Sequence, residues 1–263
     1  MRIGIGSWTY PWSIGVPEYP RPETPMTPTG LIQRARELRV SVVQIADNLP
    51  VGRGDIDLSL LDGLEVELGT RGVDPSHLLG RLDVARSIGA RLLRTMIDED
   101  LESAEPAIRS VLPTFEEAGV TLAIENYERH RSSDLATMLS SLDNPYCGIC
   151  LDTVNCLGAL ESPNQVLAQL APFVVCLHVK DFEIERISYK MGFVLTGRPA
   201  GYGRLDIPCM LSQLASYGRQ PNLIVELWTP WSETLDATIA IEEEWARLSV
   251  AFLRQFENGA SSR

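Results

Sequence analysis

A chain of 263 residues, 44% apolar and 22% charged, is long enough to bury one substantial core. Its net charge of −12 argues against a nucleic-acid partner, which calls for clustered Lys and Arg. The five cysteines, an odd number, read as reduced core residues of a cytoplasmic protein. No run approaches ~18 apolar residues, so no membrane span is expected, and the Met1-Arg2-Ile3-Gly4-Ile5-Gly6 start reads as no signal peptide.

In chain order, short β-rich apolar runs fall at residues 3–7, 42–47, 64–68, 91–96, 120–125, 148–152, 174–179 and 223–227, with helix-patterned stretches between them. This alternation predicts a parallel sheet closed as a (β/α)8 TIM barrel, one domain over residues 1–258 with a flexible tail at 259–263. Before Gly119, Ile108, Val111, Leu112, Phe115 and Ala118 keep helical spacing, with a kink expected at Pro113. Ser162-Pro163 opens the next helix, Asp206 caps one that stops near Gly218, and Ile241, Trp245, Leu248, Phe252 and Phe256 form the stripe of the last. Two connections exceed what packing needs: 11–30, with prolines at 17, 20, 22, 25 and 28, and 182–205, with glycines at 192, 197, 201 and 203. Both follow strands toward the face where barrels build active sites and are expected to be lids.

The ends of the last four strand candidates carry the chemistry. They read Thr-Leu-Ala-Ile-Glu125, Gly-Ile-Cys-Leu-Asp152, Val-Val-Cys-Leu-His178 and Leu-Ile-Val-Glu226. Strand side chains alternate, so an inward Glu125 places Ala123 and Thr121 inward, Cys150 and Gly148 below Asp152, and Cys176 below His178. Three carboxylates and an imidazole on neighbouring tips suit one hard divalent ion, Mn2+ or Mg2+ best, with Co2+ or Zn2+ also compatible. Lys180 shares the inward face of His178 and suits an oxyanion or a substrate carboxylate, or else pairs with a loop acid such as Asp181. Trp8 can stack on substrate or plug the barrel, and Arg94 can bind an anion or pair with Asp98. The Gly197-to-Gly203 segment can pass near the substrate, Cys147-x-x-Cys150 lacks a second pair and reads as packing, and His77 and His130 read as surface or loop residues.

Ala-Ile-Glu125-Asn126, Leu-Asp152-Thr153, Leu-His178-Val-Lys180-Asp181 and Ile-Val-Glu226 resemble the xylose-isomerase-like superfamily of sugar phosphate isomerases and epimerases, over nearly the whole chain. The resemblance implies that Glu125, Asp152, His178 and Glu226 hold one divalent ion and that Glu125 and Glu226 move protons; by its inward position beside His178, Lys180 is expected as a third catalytic group. Substrate contacts are expected from Trp8, Arg94, Asn126, Asn155, Arg186 and Arg198. The implied reaction is isomerisation or epimerisation of a small keto-sugar through a metal-bound enediolate. The stretch Asp152-Thr-Val-Asn155-Cys-Leu-Gly lacks the histidine that ketose 3-epimerases carry there. Arg186, Met191-Gly-Phe193 and Gly197-Arg-Pro-Ala-Gly201 are more similar to a subgroup that includes 3-oxo-isoapionate decarboxylase. Decarboxylation of a 3-oxo sugar acid is therefore the alternative, and dehydration of a keto-inositol-like ring a further one. An apurinic endonuclease of the superfamily needs many histidines and a basic surface, against three histidines and −12 here. The expected partner is a small sugar or sugar acid, with a homodimer left open.

Overall fold

The structure, a computed structural model, describes residues 1–257, so the expected tail lies outside the described residues. Strands β1 (Ile3–Gly6), β2 (Val42–Ile45), β3 (Glu65–Gly69), β4 (Leu92–Thr95), β5 (Thr121–Glu125), β6 (Cys147–Asp152) and β7 (Val174–Val179) match the expected positions within a residue or two. β8 (Asp181–Arg186) and β9 (Phe193–Arg198) form an antiparallel hairpin, and β10 (Asn222–Val225) is the last barrel strand. The barrel closes in the order β1-β10-β7-β6-β5-β4-β3-β2, every pair parallel. Glu226 follows β10 rather than ending it, its N–H reaching Val179 O at 3.2 Å.

The outer helices begin where short polar side chains can cap them. Thr27, Asp74, Asp100, Ser162, Asp206 and Thr234 accept first-turn N–H bonds at the starts of α2 (Pro28–Glu37), α3 (Pro75–Ser87), α4 (Leu101–Ala118), α6 (Pro163–Leu170), α7 (Ile207–Ser216) and α8 (Leu235–Leu253). Four of these also place proline at the first turn, where its missing N–H costs nothing. α1 (Pro11–Ile14) and α5 (Ser132–Leu142) complete the set. α4 continues through Pro106 and Pro113 to a left-handed Gly119 at φ 64°. The buried face of α8 is Thr238, Glu242, Ala246, Ser249, Val250 and Leu253, offset from the predicted stripe, whose members are half-buried or flank it. Cys209 on α7 is exposed, against the expectation that all five cysteines are core residues; all are free thiols.

The main core lies between strands and helices, and a smaller one of Val42, Leu92, Ala123, Cys150, Cys176 and Ile224 fills the barrel. The second follows the predicted parity, with small inward residues under the tips. Gly4 shows why size matters: a Cβ there would lie 2.6 Å from Ile224 Cδ1 and 2.7 Å from Val42 Cβ. Cys147 and Cys150 sit at odd spacing on β6 and face opposite sides, so they form no pair.

Candidate active site

At the C-terminal end of the barrel the tips of β4 to β7 and the residue after β10 meet. Glu125, Asp152, His178 and Glu226 are all buried there. One ligating atom from each of Glu125, Asp152 and His178 lies within 4.8 Å of the others. Glu226 joins through His178, with Nδ1 3.2 Å from Glu226 Oε1 and 3.6 Å from Glu125 Oε2. Among the described residues, His178 Nδ1 and Glu226 Oε1 are buried without a hydrogen-bond partner, and Glu125 Oε2, also without an aligned hydrogen bond, has only the Arg94 guanidinium beside it. Such atoms gathered around His178 Nδ1 fit a divalent cation, because buried lone pairs otherwise incur a desolvation penalty.

Two cations hold the carboxylates in place. Arg94 Nε lies 2.9 Å from Glu125 Oε2, and its Nη1 donates to Thr70 O at 2.8 Å and to Asp47 Oδ1 at 3.1 Å. Arg94 therefore does not pair with Asp98; that acid takes a bidentate fork from Arg71, at 2.6 and 2.7 Å. Lys180 Nζ sits 2.6 Å from Asp152 Oδ2 and 2.9 Å from Glu226 Oε2, not on Asp181. Burial alone would raise the Glu125 carboxyl, but Arg94, then His178 and Lys180, hold it at about 2. Burial dominates at Asp152 and raises it against the pull of Lys180. Burial opposes the charge on Lys180, yet Asp152, Glu226 and Glu125 together keep it above the usual lysine range.

The two asparagines differ in role. Asn155 Nδ2 donates to Glu125 Oε1 at 2.9 Å, and its N–H, like that of Val154, donates to Asp152 Oδ1 at 2.8 Å. Asn126 instead clamps β5 to β6: its Oδ1 accepts from Asp152 N–H at 2.7 Å and its Nδ2 donates to Asp152 O at 3.0 Å. Asn155 lines the cleft; Asn126 does not.

The cleft has a volume of about 690 Å3, and Trp8, Arg94, Glu125, Lys180 and Glu226 of the expected set line it. Its walls add Asp47, Arg71, Tyr127, Leu195 and Trp228, which sequence reasoning did not single out. Arg186 and Arg198 are absent from that lining: Arg186 is exposed over the Phe193 ring at 4.5 Å, and Arg198 pairs with Glu185 at 3.6 Å. Of the two expected lids, the 182–205 segment is largely the β8–β9 hairpin and reaches the cleft through Leu195. The 11–30 segment flanks a side chamber shared by Trp8, Trp12, Lys180 and Trp228. The glycines of 197–203 are packing devices rather than a ligand cradle: a Cβ on Gly197 would lie 2.2 Å from Trp228 O, one on Gly201 2.3 Å from the Phe252 ring, and one on Gly203 2.2 Å from Asp181 Oδ1. His77 is exposed and its Nε2 lies 2.7 Å from Thr70 Oγ1, while His130 is half-buried in a loop.

Beneath Glu125, Asp152, His178 and Glu226 the barrel holds two polar residues also not anticipated, Gln44 and Glu67. His178 Nε2 lies 2.8 Å from Gln44 Oε1, and Gln44 Nε2 donates to Glu67 Oε2 at 2.9 Å. Burial, with Cys176 beside it, pushes the Glu67 carboxyl well above the usual range against the opposing Asn222 and Gln44 donors. The available signal was parity: both interrupt apolar strands at inward positions.

Comparison with known proteins agrees with this architecture. A 3-oxo-isoapionate decarboxylase from Pectobacterium atrosepticum is 32% identical over 265 residues, spanning 96% of this chain and 95% of its own. A D-psicose 3-epimerase solved in the presence of D-fructose superposes with a TM-score of 0.71 at 14% identity, over 98% of this chain and 100% of that one. A Mycobacterium smegmatis barrel protein in complex with magnesium does so with a TM-score of 0.69 at 15% identity, over 95% and 97%. These two likenesses carry the fold alone. The model of the xylose isomerase-like TIM barrel matches residues 29–256, and with the closed barrel and the full-length relative it places this chain in the xylose isomerase-like TIM barrel family.

Proposed function

We propose that this protein is a divalent-metal-dependent enzyme acting on a small oxidised keto-sugar, and that its reaction is decarboxylation of a 3-oxo sugar acid. The observation that carries the reaction is the 32% identity, over 96% of the chain, to a 3-oxo-isoapionate decarboxylase. Glu125, Asp152, His178 and Glu226 would hold the ion, Mn2+ or Mg2+ by the hardness of the donor set, with Co2+ or Zn2+ compatible. Bound there, the ion supplies a Lewis acid for negative charge developing on a substrate carbonyl oxygen.

The residues of the chain divide the remaining work. In a 3-oxo acid the bond between C2 and the carboxylate breaks, carbon dioxide leaves, and the electron pair delocalises toward the 3-oxo oxygen as an enolate. A proton must then be added at C2. Glu125, held ionised by Arg94, is unsuited to donate it. The Lys180–Glu226 pair, 2.9 Å apart and lining the cleft, is the proton store we assign. Trp8 and Trp228 wall the cleft with apolar faces, and Arg71 and Arg94 supply positive charge for an anionic substrate.

Isomerisation or epimerisation of a ketose is the second reading, because Glu125 Oε2, at the end of β5, and Glu226 Oε1, just after β10, approach His178 Nδ1 from different barrel units, as two-sided proton transfer requires. Proton NMR in deuterium oxide separates the two. The Mn2+- or Mg2+-loaded protein is incubated with fresh 3-oxo sugar acids and with a ketose panel. Release of carbon dioxide with deuterium at C2, lost in Glu226→Gln, is the expected result. Deuterium exchange into a ketose without carbon loss transfers the protein to the second reading.

A further inference from the structure

Below the ligand layer runs a line of polar contacts that takes no direct part in that chemistry. Asn222 Nδ2 donates to Glu67 Oε1 at 2.8 Å, Gln44 Nε2 donates to Glu67 Oε2 at 2.9 Å, and Gln44 Oε1 faces His178 Nε2 at 2.8 Å. Glu67, Gln44 and His178 are each 1% exposed or less, so water does not substitute for any of these partners. The order of contacts fixes the amide. Both Glu67 oxygens face N–H donors, so the Nε2 end of Gln44 turns toward Glu67 and its carbonyl end toward the imidazole. A carbonyl only accepts, which places a hydrogen on His178 Nε2. The inverted amide would set an oxygen against Glu67 Oε2 and N–H against Nε2.

With hydrogen held on Nε2, the other ring nitrogen is the one that can ligate. That is Nδ1, the buried atom without a hydrogen-bond partner, 3.2 Å from Glu226 Oε1. We infer that Glu67, acting through Gln44, is a positioning residue that holds His178 with Nε2–H inward and Nδ1 presented to the divalent ion. The inference rests on the metal reading above. Outer partners of this kind set the tautomer and orientation of a ligating imidazole.

Mn2+ dissociation constants, measured by titration calorimetry or electron paramagnetic resonance, test it without reference to activity. Gln44→Met removes the acceptor at similar volume, and Glu67→Gln removes the carboxyl group whose Oε2 accepts the Gln44 amide N–H. Each is expected to weaken Mn2+ binding about 10- to 100-fold, the usual range for loss of an outer partner. The double variant Gln44→Glu/Glu67→Gln exchanges the two groups: the carboxylate on β2 accepts from His178 Nε2 and from the amide now on β3, whose oxygen accepts from Asn222. It preserves charge and volume and is expected to restore affinity close to wild type, which a purely packing role would not predict. Glu67→Gln binding as tightly as wild type, or the exchanged pair binding as weakly as the single variant, overturns the inference alone. If a single variant does not fold, the exchanged pair decides: wild-type affinity supports the inference and a loss of tenfold or more overturns it. A wild-type protein that binds no Mn2+ overturns the metal reading and this inference together.

Discussion

Arg94 Nε stands 2.9 Å from Glu125 Oε2 inside the barrel, with the two side chains only 2% and 4% exposed. Removing one partner of such a pair leaves the other charge buried and unmatched, which costs about 3–5 kcal/mol. Arg94→Met is therefore expected to lower the unfolding free energy of the chelated protein by about that amount, read by urea denaturation. A loss within error of zero would mean that Glu125 finds another cation, His178, 3.6 Å away, or Lys180.

The buried His178 Nδ1 and Glu226 Oε1, both without a hydrogen-bond partner, predict a response to metal. Saturation at a hundredfold excess over the dissociation constant stabilises by ~2.7 kcal/mol, or roughly 5–10 °C in Tm for a chain of this size. Mn2+ should raise Tm by that amount and EDTA reverse it, while His178→Ala and Asp152→Asn show no rise. An identical rise in those variants would place the ion elsewhere.

A buried acid outside the cleft lining predicts a pH effect on stability. Glu242 on α8 accepts from Trp12 N–H at 2.8 Å, Ser13 N–H at 3.0 Å and Ser13 Oγ at 2.6 Å, pinning the segment after β1. Burial, opposed by those three donors, pushes its carboxyl from 4.5 up to about 7. A raised folded-state value means the native protein keeps a proton that the unfolded chain has released. Stability is then lost as pH rises from about 4.5 through 7, by roughly 3 kcal/mol, and levels off above. The Tm difference between wild type and Glu242→Gln should shrink across that interval; a difference constant with pH would refute the assignment.

The hairpin that brings Leu195 to the cleft hangs on one carboxylate. Asp181 Oδ1 accepts from the N–H of Phe182 and Leu205 at 2.8 and 3.0 Å, and Oδ2 from those of Gly201 and Gly203 at 2.9 and 3.0 Å. Asp181→Ala leaves these donors without their acceptor and should cost about 2–3 kcal/mol, the scale of a charged hydrogen bond. Faster proteolytic cleavage within residues 182–205 and a raised KM are the expected signs. Unchanged cleavage would show that β8–β9 pairing alone holds the hairpin.

Residue order alone determined the barrel and the layer of polar tips at its C-terminal end. Inward and outward residues alternate along a strand, and the polar tips Glu125, Asp152, His178 and Glu226 recur in four successive units, so periodicity places them together without knowledge of any contact. Tertiary structure decided everything that depends on which strands become neighbours across the barrel. Arg94 pairs with Glu125 and Asp47 rather than Asp98 because β4 packs against β5 and its Arg94 faces the barrel interior, while Asp98 is held by Arg71. Arg186 and Arg198 left the expected site because residues 182–205 fold as a hairpin whose pairing consumes the segment, a geometry that glycine spacing does not specify. Gln44 and Glu67 look like misplaced polar residues until closure of the sheet brings β2 and β3 to face His178 of β7, 134 and 111 residues away along the chain. Periodicity is a local property and survives in the sequence; partner choice inside a closed barrel is a long-range one, settled only when the desolvated groups find the complement that burial demands.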